Sequence, residues 1–179
     1  MTARPSTALV LIFLTLWDSK ALEGKDPRRA EQLHFSAEED KVKNPVSIPR
    51  DALAILAKDE MVREELENEN IQPGKIPLSW FSTSAIHLSN TRDVDLIVMA
   101  VGPIHGANVA MFWLFRANAH GYGLILRAGG HDLDVKNTRS KGYCDIELSA
   151  VVTQKLSTVL YRFDGVRYRQ YQSRLEEIQ

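Results

Sequence analysis

From Trp80 to Tyr171 short apolar runs alternate with connections of only a few residues, and nothing else in the sequence limits the fold so strongly. A parallel crossover needs a dozen or more residues, which these links do not supply. The links are Ser89-Asn90-Thr91-Arg92, Gly102-Pro103-Ile104-His105-Gly106, Asn118 to Gly123, Gly129-Gly130, and Asp164-Gly165 between Phe163 and Val166. Asp-Gly suits a tight hairpin because glycine accepts a positive φ. Strands are predicted over 80–88, 94–101, 108–116, 122–128, 132–136, 144–152, 157–163 and 166–171. The sheet should be mostly antiparallel, with one face buried under helices or against its own curl. No repeat of about 20–50 residues is visible, which argues against a solenoid or a complete propeller.

Before Trp80 the pattern is helical. Leu53, Leu56 and Ala57 share one face, whereas Val62 and Leu66, spaced i and i+4, point elsewhere on a continuous wheel. Two helices, 49–57 and 60–68, with a bend at Lys58-Asp59, account for the shift. Ser47 is placed to cap the first, with Pro49 in its first turn, and Asp59 to cap the second. A single bent helix is the alternative. Pro73, Gly74 and Pro77 mark the loop that follows. The fold class is therefore α+β: short helices followed by a mostly antiparallel β-meander.

The start of the chain reads as a targeting segment. Arg4 precedes an apolar run from Ala8 to Trp17, and Ser19-Lys20-Ala21 offers small residues for a signal peptidase. A run of about ten residues is too short to span a bilayer, which needs ~20. The expected organisation is a signal peptide over 1–21, a flexible charged leader over 22–46 with a short ordered piece at Leu33 to Phe35, one α+β domain over 47–172 and a tail over 173–179. The mature chain would be exported, periplasmic or secreted, with no stable membrane span after cleavage.

The net charge of −1 gives no global attraction to nucleic acid, and none is expected as a partner. Cys144 is the single cysteine, so an internal disulfide is excluded. A buried, inert thiol is the expectation for it.

Candidate chemistry lies in the turns. Gly129-Gly130-His131-Asp132-Leu133-Asp134 sets a histidine beside two carboxylates that share one face of an extended strand. His105-Gly106-Ala107-Asn108 could bind a ligand through His105 and Asn108. His131, Asp132, Asp134, His105 and Asn108 are thus the candidate ligand-binding residues. A G-x-S-x-G elbow is absent, and no catalytic residue, metal ligand or cofactor is assigned. Phe112-Trp113-Leu114-Phe115 is apolar on both faces, as in a central strand, or presents one aromatic pair to a partner. Arg162, Arg167 and Arg169, interleaved with Tyr161, Tyr168 and Tyr171, form either a solvated face or an interface of the Arg/Tyr type.

Asn137 to Asp145 resembles the calcium loop of integrin-type propeller repeats. Arg139 and Lys141 stand at two of its acidic positions, so calcium binding is expected to be lost. More broadly, the Leu-rich helical piece, Trp80-Phe81-Ser82-Thr83-Ser84, the Gly106-Ala107-Asn108 turn before Phe112-Trp113, and Leu160-Tyr161-Arg162-Phe163-Asp164-Gly165 followed by Arg167-Tyr168 resemble a family of uncharacterised exported bacterial proteins. That resemblance implies an exported chain and brings no assigned activity.

Three functional readings follow. The first is a non-catalytic binding or inhibitor-like protein of the cell envelope, its partner a protein. The second is a hydrolase using His131 with Asp132 or Asp134, aided by His105. The third is a structural subunit that assembles through an exposed sheet edge.

Overall fold

The alternating runs form two antiparallel sheets. A computed structural model describes residues 31–39, 41–72 and 74–178. The elements are β1 (His34–Ser36), α1 (Arg50–Leu56), α2 (Glu60–Asn68), β2 (Phe81–Ile86), β3 (Asp95–Ala100), β4 (Ala110–Asn118), β5 (Gly121–Gly130), β6 (Asp132–Ser140), β7 (Tyr143–Val152), β8 (Lys155–Phe163) and β9 (Tyr168–Glu177). One sheet has the order β1-β6-β7-β8-β9 and the other β2-β3-β4-β5. The fold is α+β, as expected, but the single meander is split into two. The chain passes between sheets at His131. A methyl group on Gly130 would lie 2.9 Å from Leu148 Cδ2 and 3.1 Å from Ser149 O, so the crossing is as tight as backbone permits.

β4 explains why the division is stable. Phe112 and Leu114 enter the core between the two sheets, with Phe35, Ile97, Met99, Leu133, Ile146 and Leu148. Trp113 and Phe115 enter a second core under the helices, with Ala52, Leu56, Val62, Leu66 and Trp80. All four side chains are buried, as the two-faced run predicts for a central strand. Cys144 is buried as well.

Several boundaries differ from the expectation. The signal-peptide reading of 1–21 and residues 22–30 of the leader lie outside the described residues. From Glu31 onward the charged leader is built into the fold. β1 pairs His34 with Asp134 and Ser36 with Asp132, and Phe35 is wholly buried. Val42 N–H donates to Ser82 Oγ at 2.9 Å and Val46 N–H to Thr83 O at 2.9 Å, which occupies the free edge of β2. Phe35, Ala37 and Val42 enter the core between the sheets, with Leu33 packed against it, and so dock a segment that is otherwise charged or polar. At the far end, β9 runs to Glu177, so residues 173–177 continue a strand where a tail was expected. Helix α1 begins after Pro49, whose extended ψ of 151° makes it the cap residue, and Ser47 does not cap it.

Two carboxylates fasten the helices to the sheet. Asp59 caps α2, accepting from Met61 N–H at 3.1 Å. It also accepts Trp113 Nε1–H from β4 at 2.8 Å and Arg127 Nε–H from β5 at 2.6 Å, with Arg127 Nη2 at 3.1 Å. Burial alone would raise its pKa, but the Arg127 guanidinium, the Trp113 indole and the capped N–H hold it below the ordinary carboxylate value. Asp51 of α1 accepts Tyr122 N–H at the start of β5. Gly121, at φ +115°, leaves room for that approach, since a methyl group there would meet Asp51 Oδ2 at 1.9 Å.

A third carboxylate, Asp95, is wholly buried. It accepts Leu88 N–H at 3.2 Å and Ala117 N–H at 3.1 Å, joining the end of β2 to the end of β4. Burial pushes its pKa up to about 6, against the pull of the two N–H groups.

Asp59→Ala removes a helix cap and leaves the buried Trp113 indole N–H unpaired, so it should lower the unfolding free energy by about 2–4 kcal/mol in urea titration. Arg127→Ala keeps the cap and the indole bond but leaves the nearly buried Asp59 carboxylate without its counter-charge, so it should cost about 1–2 kcal/mol, less than Asp59→Ala. Equal losses in the two variants would contradict the account. For Asp95, the folded pKa lies above that of the unfolded chain. Its contribution to stability is therefore complete below about pH 4 and is lost as pH rises through about 6. Between those values the urea midpoint of the wild-type protein should fall relative to that of Asp95→Asn; parallel profiles would refute the assignment.

Candidate functional site between the β5 and β9 edges

The five turn residues singled out in the sequence fall into separate places. His105 follows the helical turn Gly102–Ile104 and lines a depression of about 270 Å³ against α2, with Met61, Glu65 and Asn68. Asn108 is exposed in the β3–β4 connection. His131 lies at the crossing between sheets, its Nε2 3.7 Å from Glu38 Oε1 and its backbone bonded to Ser149 O and Ala37 N–H. Among the described residues no hydrogen bond or ion pair joins His105 or Asn108 to His131, Asp132 or Asp134.

Asp132 and Asp134 do share one face, as their spacing requires. Their histidine is His34 of β1, with Nδ1 2.9 Å from Asp134 Oδ1 and Nε2 3.8 Å from Asp132 Oδ1. Ser149 Oγ donates to Asp132 Oδ2 at 3.3 Å. The serine thus meets a carboxylate and the histidine sits beyond it, whereas an activated serine needs the base at its hydroxyl. The imidazole is more than half exposed. This is a polar strand-to-strand pairing on the outer face of the five-stranded sheet. The segment resembling a calcium loop is the β6–β7 hairpin, turning at Lys141 and Gly142 with φ of 50° and 85°. There Arg139 Nη1 donates to Leu88 O at 3.2 Å and Gly142 O at 3.0 Å.

A more coherent site lies on the open side of the sandwich. β5 ends the four-stranded sheet and β9 ends the five-stranded one, and neither outer edge is paired among the described residues. Between them runs a groove of about 390 Å³. Leu124, Ile125, Leu126 and Arg127 of β5 form one wall; Tyr161 of β8 and Arg167 to Gln170 form the other. The opposite side of the sandwich is closed by β1 and residues 42–46.

The β8–β9 turn holds the second wall in place. Asp164 Oδ1 accepts Val166 N–H at 2.8 Å and Arg167 N–H at 2.9 Å, and Asp164 Oδ2 accepts Arg169 Nε–H at 3.1 Å. Those donors pull its carboxyl down to about 2. Tyr168 is buried and donates from its hydroxyl to Cys144 O at 2.6 Å, fixing β9 to β7. Burial raises the pKa of both Tyr161 and Tyr168, so both phenols stay protonated. Arg127 is held charged by Asp59. The side chain of Arg167 makes no hydrogen bond or ion pair among the described residues.

The chemistry of the groove follows from this lining. It offers the guanidinium of Arg167, the exposed side chain of Leu124, and two strand edges with backbone donors and acceptors. Among the described residues its lining holds no serine, cysteine, histidine or carboxylate. The sequence signalled half of it through the Arg/Tyr interleaving of 161–169. Leu124 to Arg127 carried no signal, because a strand edge facing another sheet reads like any half-buried strand. No described helix is long and apolar enough to cross a membrane. In comparison with known proteins, the chain matches no family model, no curated sequence and no solved structure.

Proposed function

We propose that this chain is a non-catalytic binding protein that holds an extended, acidic segment of a partner protein along the β5 edge. The observation that carries the reading is the pairing of an open strand edge with Arg167, an exposed guanidinium that makes no hydrogen bond or ion pair among the described residues, beside one groove. Main-chain hydrogen bonds to such an edge supply affinity, and alternate side chains of the ligand supply specificity. Arginine suits the role, because its planar fork receives a carboxylate through two parallel bonds. Export to the cell envelope is part of the proposal and rests on the apolar run from Ala8 to Trp17 and the small residues at Ser19 to Ala21. Inhibition of an envelope hydrolase would be one outcome of such binding. The hydrolase reading has less support, since His131 faces Glu38 and the outer-face serine meets no base.

The test uses a fluorescein-labelled peptide of alternating Glu and Val, and the same peptide with Lys for Glu. Anisotropy should show saturable binding of the acidic peptide only, weakening as salt is raised. Arg167→Glu, at a side chain with no structural partner among the described residues, should weaken binding at least about tenfold with unchanged circular dichroism. Equal binding of the two peptides, or an unaffected Arg167→Glu variant, would overturn the proposal.

A further inference from the structure

β9 is ten residues long and terminates its sheet. Long edge strands are templates for further pairing, and proteins usually blunt them with proline, lysine or an inward charge. Residues 172–177 read Gln-Ser-Arg-Leu-Glu-Glu and contain no proline or lysine, and their one inward-facing charge, Glu177, is paired with Lys155 of β8 at 2.6 Å. Leu175 is 60% exposed on this edge, although it faces the same side as buried Tyr168. The groove described above ends at Gln170, so this half of the strand is not part of it.

The sequence of the edge is complementary to itself in one register. Two copies of an antiparallel edge are related by a two-fold axis perpendicular to the sheet, so residues facing each other must lie on the same face. An axis through Leu175 sets Leu175 against its own copy and Arg174 against Glu176, twice. It also sets Ser173 against Glu177. Every acid then meets a base or a hydroxyl, and the exposed leucine is covered.

The neighbouring registers fail for stated reasons. An axis through Arg174 places two guanidiniums directly opposite, and one through Glu176 two carboxylates, both destabilising. An axis through Ser173 brings Tyr171 opposite Leu175. Tyr171 is the extra residue of a β-bulge, since Leu160 pairs with Gln172 and Tyr161 with Gln170. Its ring lies against Arg162 on the outer face, 3.6 Å from the guanidinium carbon, whereas Leu175 is on the inner face. The bulge therefore ends the pairable edge on one side, and the register through Leu175 is the one left.

We infer that the C-terminal half of β9 is a docking edge for a second copy of this chain, forming one continuous sheet across a two-fold axis at Leu175. In the dimer the Arg174–Glu176 pairs flank the axis, and each copy's peptide groove remains open beside it. The inference is independent of the proposed peptide binding, because it uses no groove residue.

Sedimentation equilibrium of the full chain over a range of concentrations tests it. The wild-type protein should show a reversible monomer–dimer equilibrium. Arg174→Glu and Glu176→Arg each set like charges opposite and should each weaken dimerisation at least about tenfold. The double variant R174E/E176R restores opposite charges and should recover most of the affinity. Circular dichroism and urea midpoints of all three variants report whether the monomer fold is intact. Arg167→Glu should leave the dimer unchanged while affecting peptide binding. A monomer at every concentration, or a double variant no better than the singles, would overturn the inference.

Discussion

The contact that organises this fold is the one around Asp59. A single carboxylate terminates α2, receives the indole of the central strand β4 and receives a guanidinium from the edge strand β5. Helix, sheet centre and sheet edge are thereby referred to one point. Without it α2 would rest on the sheet only through Val62, Leu66 and their neighbours, and apolar contact alone does not fix rotation about a helix axis. Arg127 is consequently held at the groove by the helix layer, although the groove opens on the other side of β5.

The two cores divide along β4. Its alternate residues fill the space under the helices and the space between the sheets, so every other element takes its place from one strand. The side of the sandwich near β2 is sealed by a segment from the beginning of the chain. The side near β5 has nothing equivalent among the described residues, and there the arginines and the strand edges collect. Asymmetry in which edge is covered thus leaves one side of the sandwich with open strand edges.

Much of this was legible in residue order. The shift of the apolar stripe at Lys58-Asp59 marked two helices, and Asp59 was recognisable as a cap because an oxygen-bearing side chain stood at the break. Phe112 to Phe115 announced a strand covered on both faces. Hairpin chemistry located the turns, although several strands run further than their apolar pattern. Splitting into two sheets was not legible, because Gly129-Gly130 followed by His131 reads equally well as a hairpin turn and as a crossing between sheets. The partner of Asp132 and Asp134 could not be found either. His34 lies about a hundred residues away in a segment whose composition suggested a flexible leader, and only Phe35 beside it hinted at a buried strand. Local pattern encodes periodicity and turn chemistry, while pairing across a long loop depends on what else has already packed.

That distance in sequence has a consequence for how the molecule assembles. The ladders from β2 to β5 and from β6 to β9 join strands adjacent in the chain, whereas β1 pairs with β6 across nearly the whole intervening domain. Loop-closure entropy makes such a pairing slow to form before the intervening strands are in place. A nascent chain would hold Phe35 without its pocket until β6 had emerged and docked. β1 can therefore pair only once β6 is present, whereas residues 42–46 need only β2 to make their part of the seal.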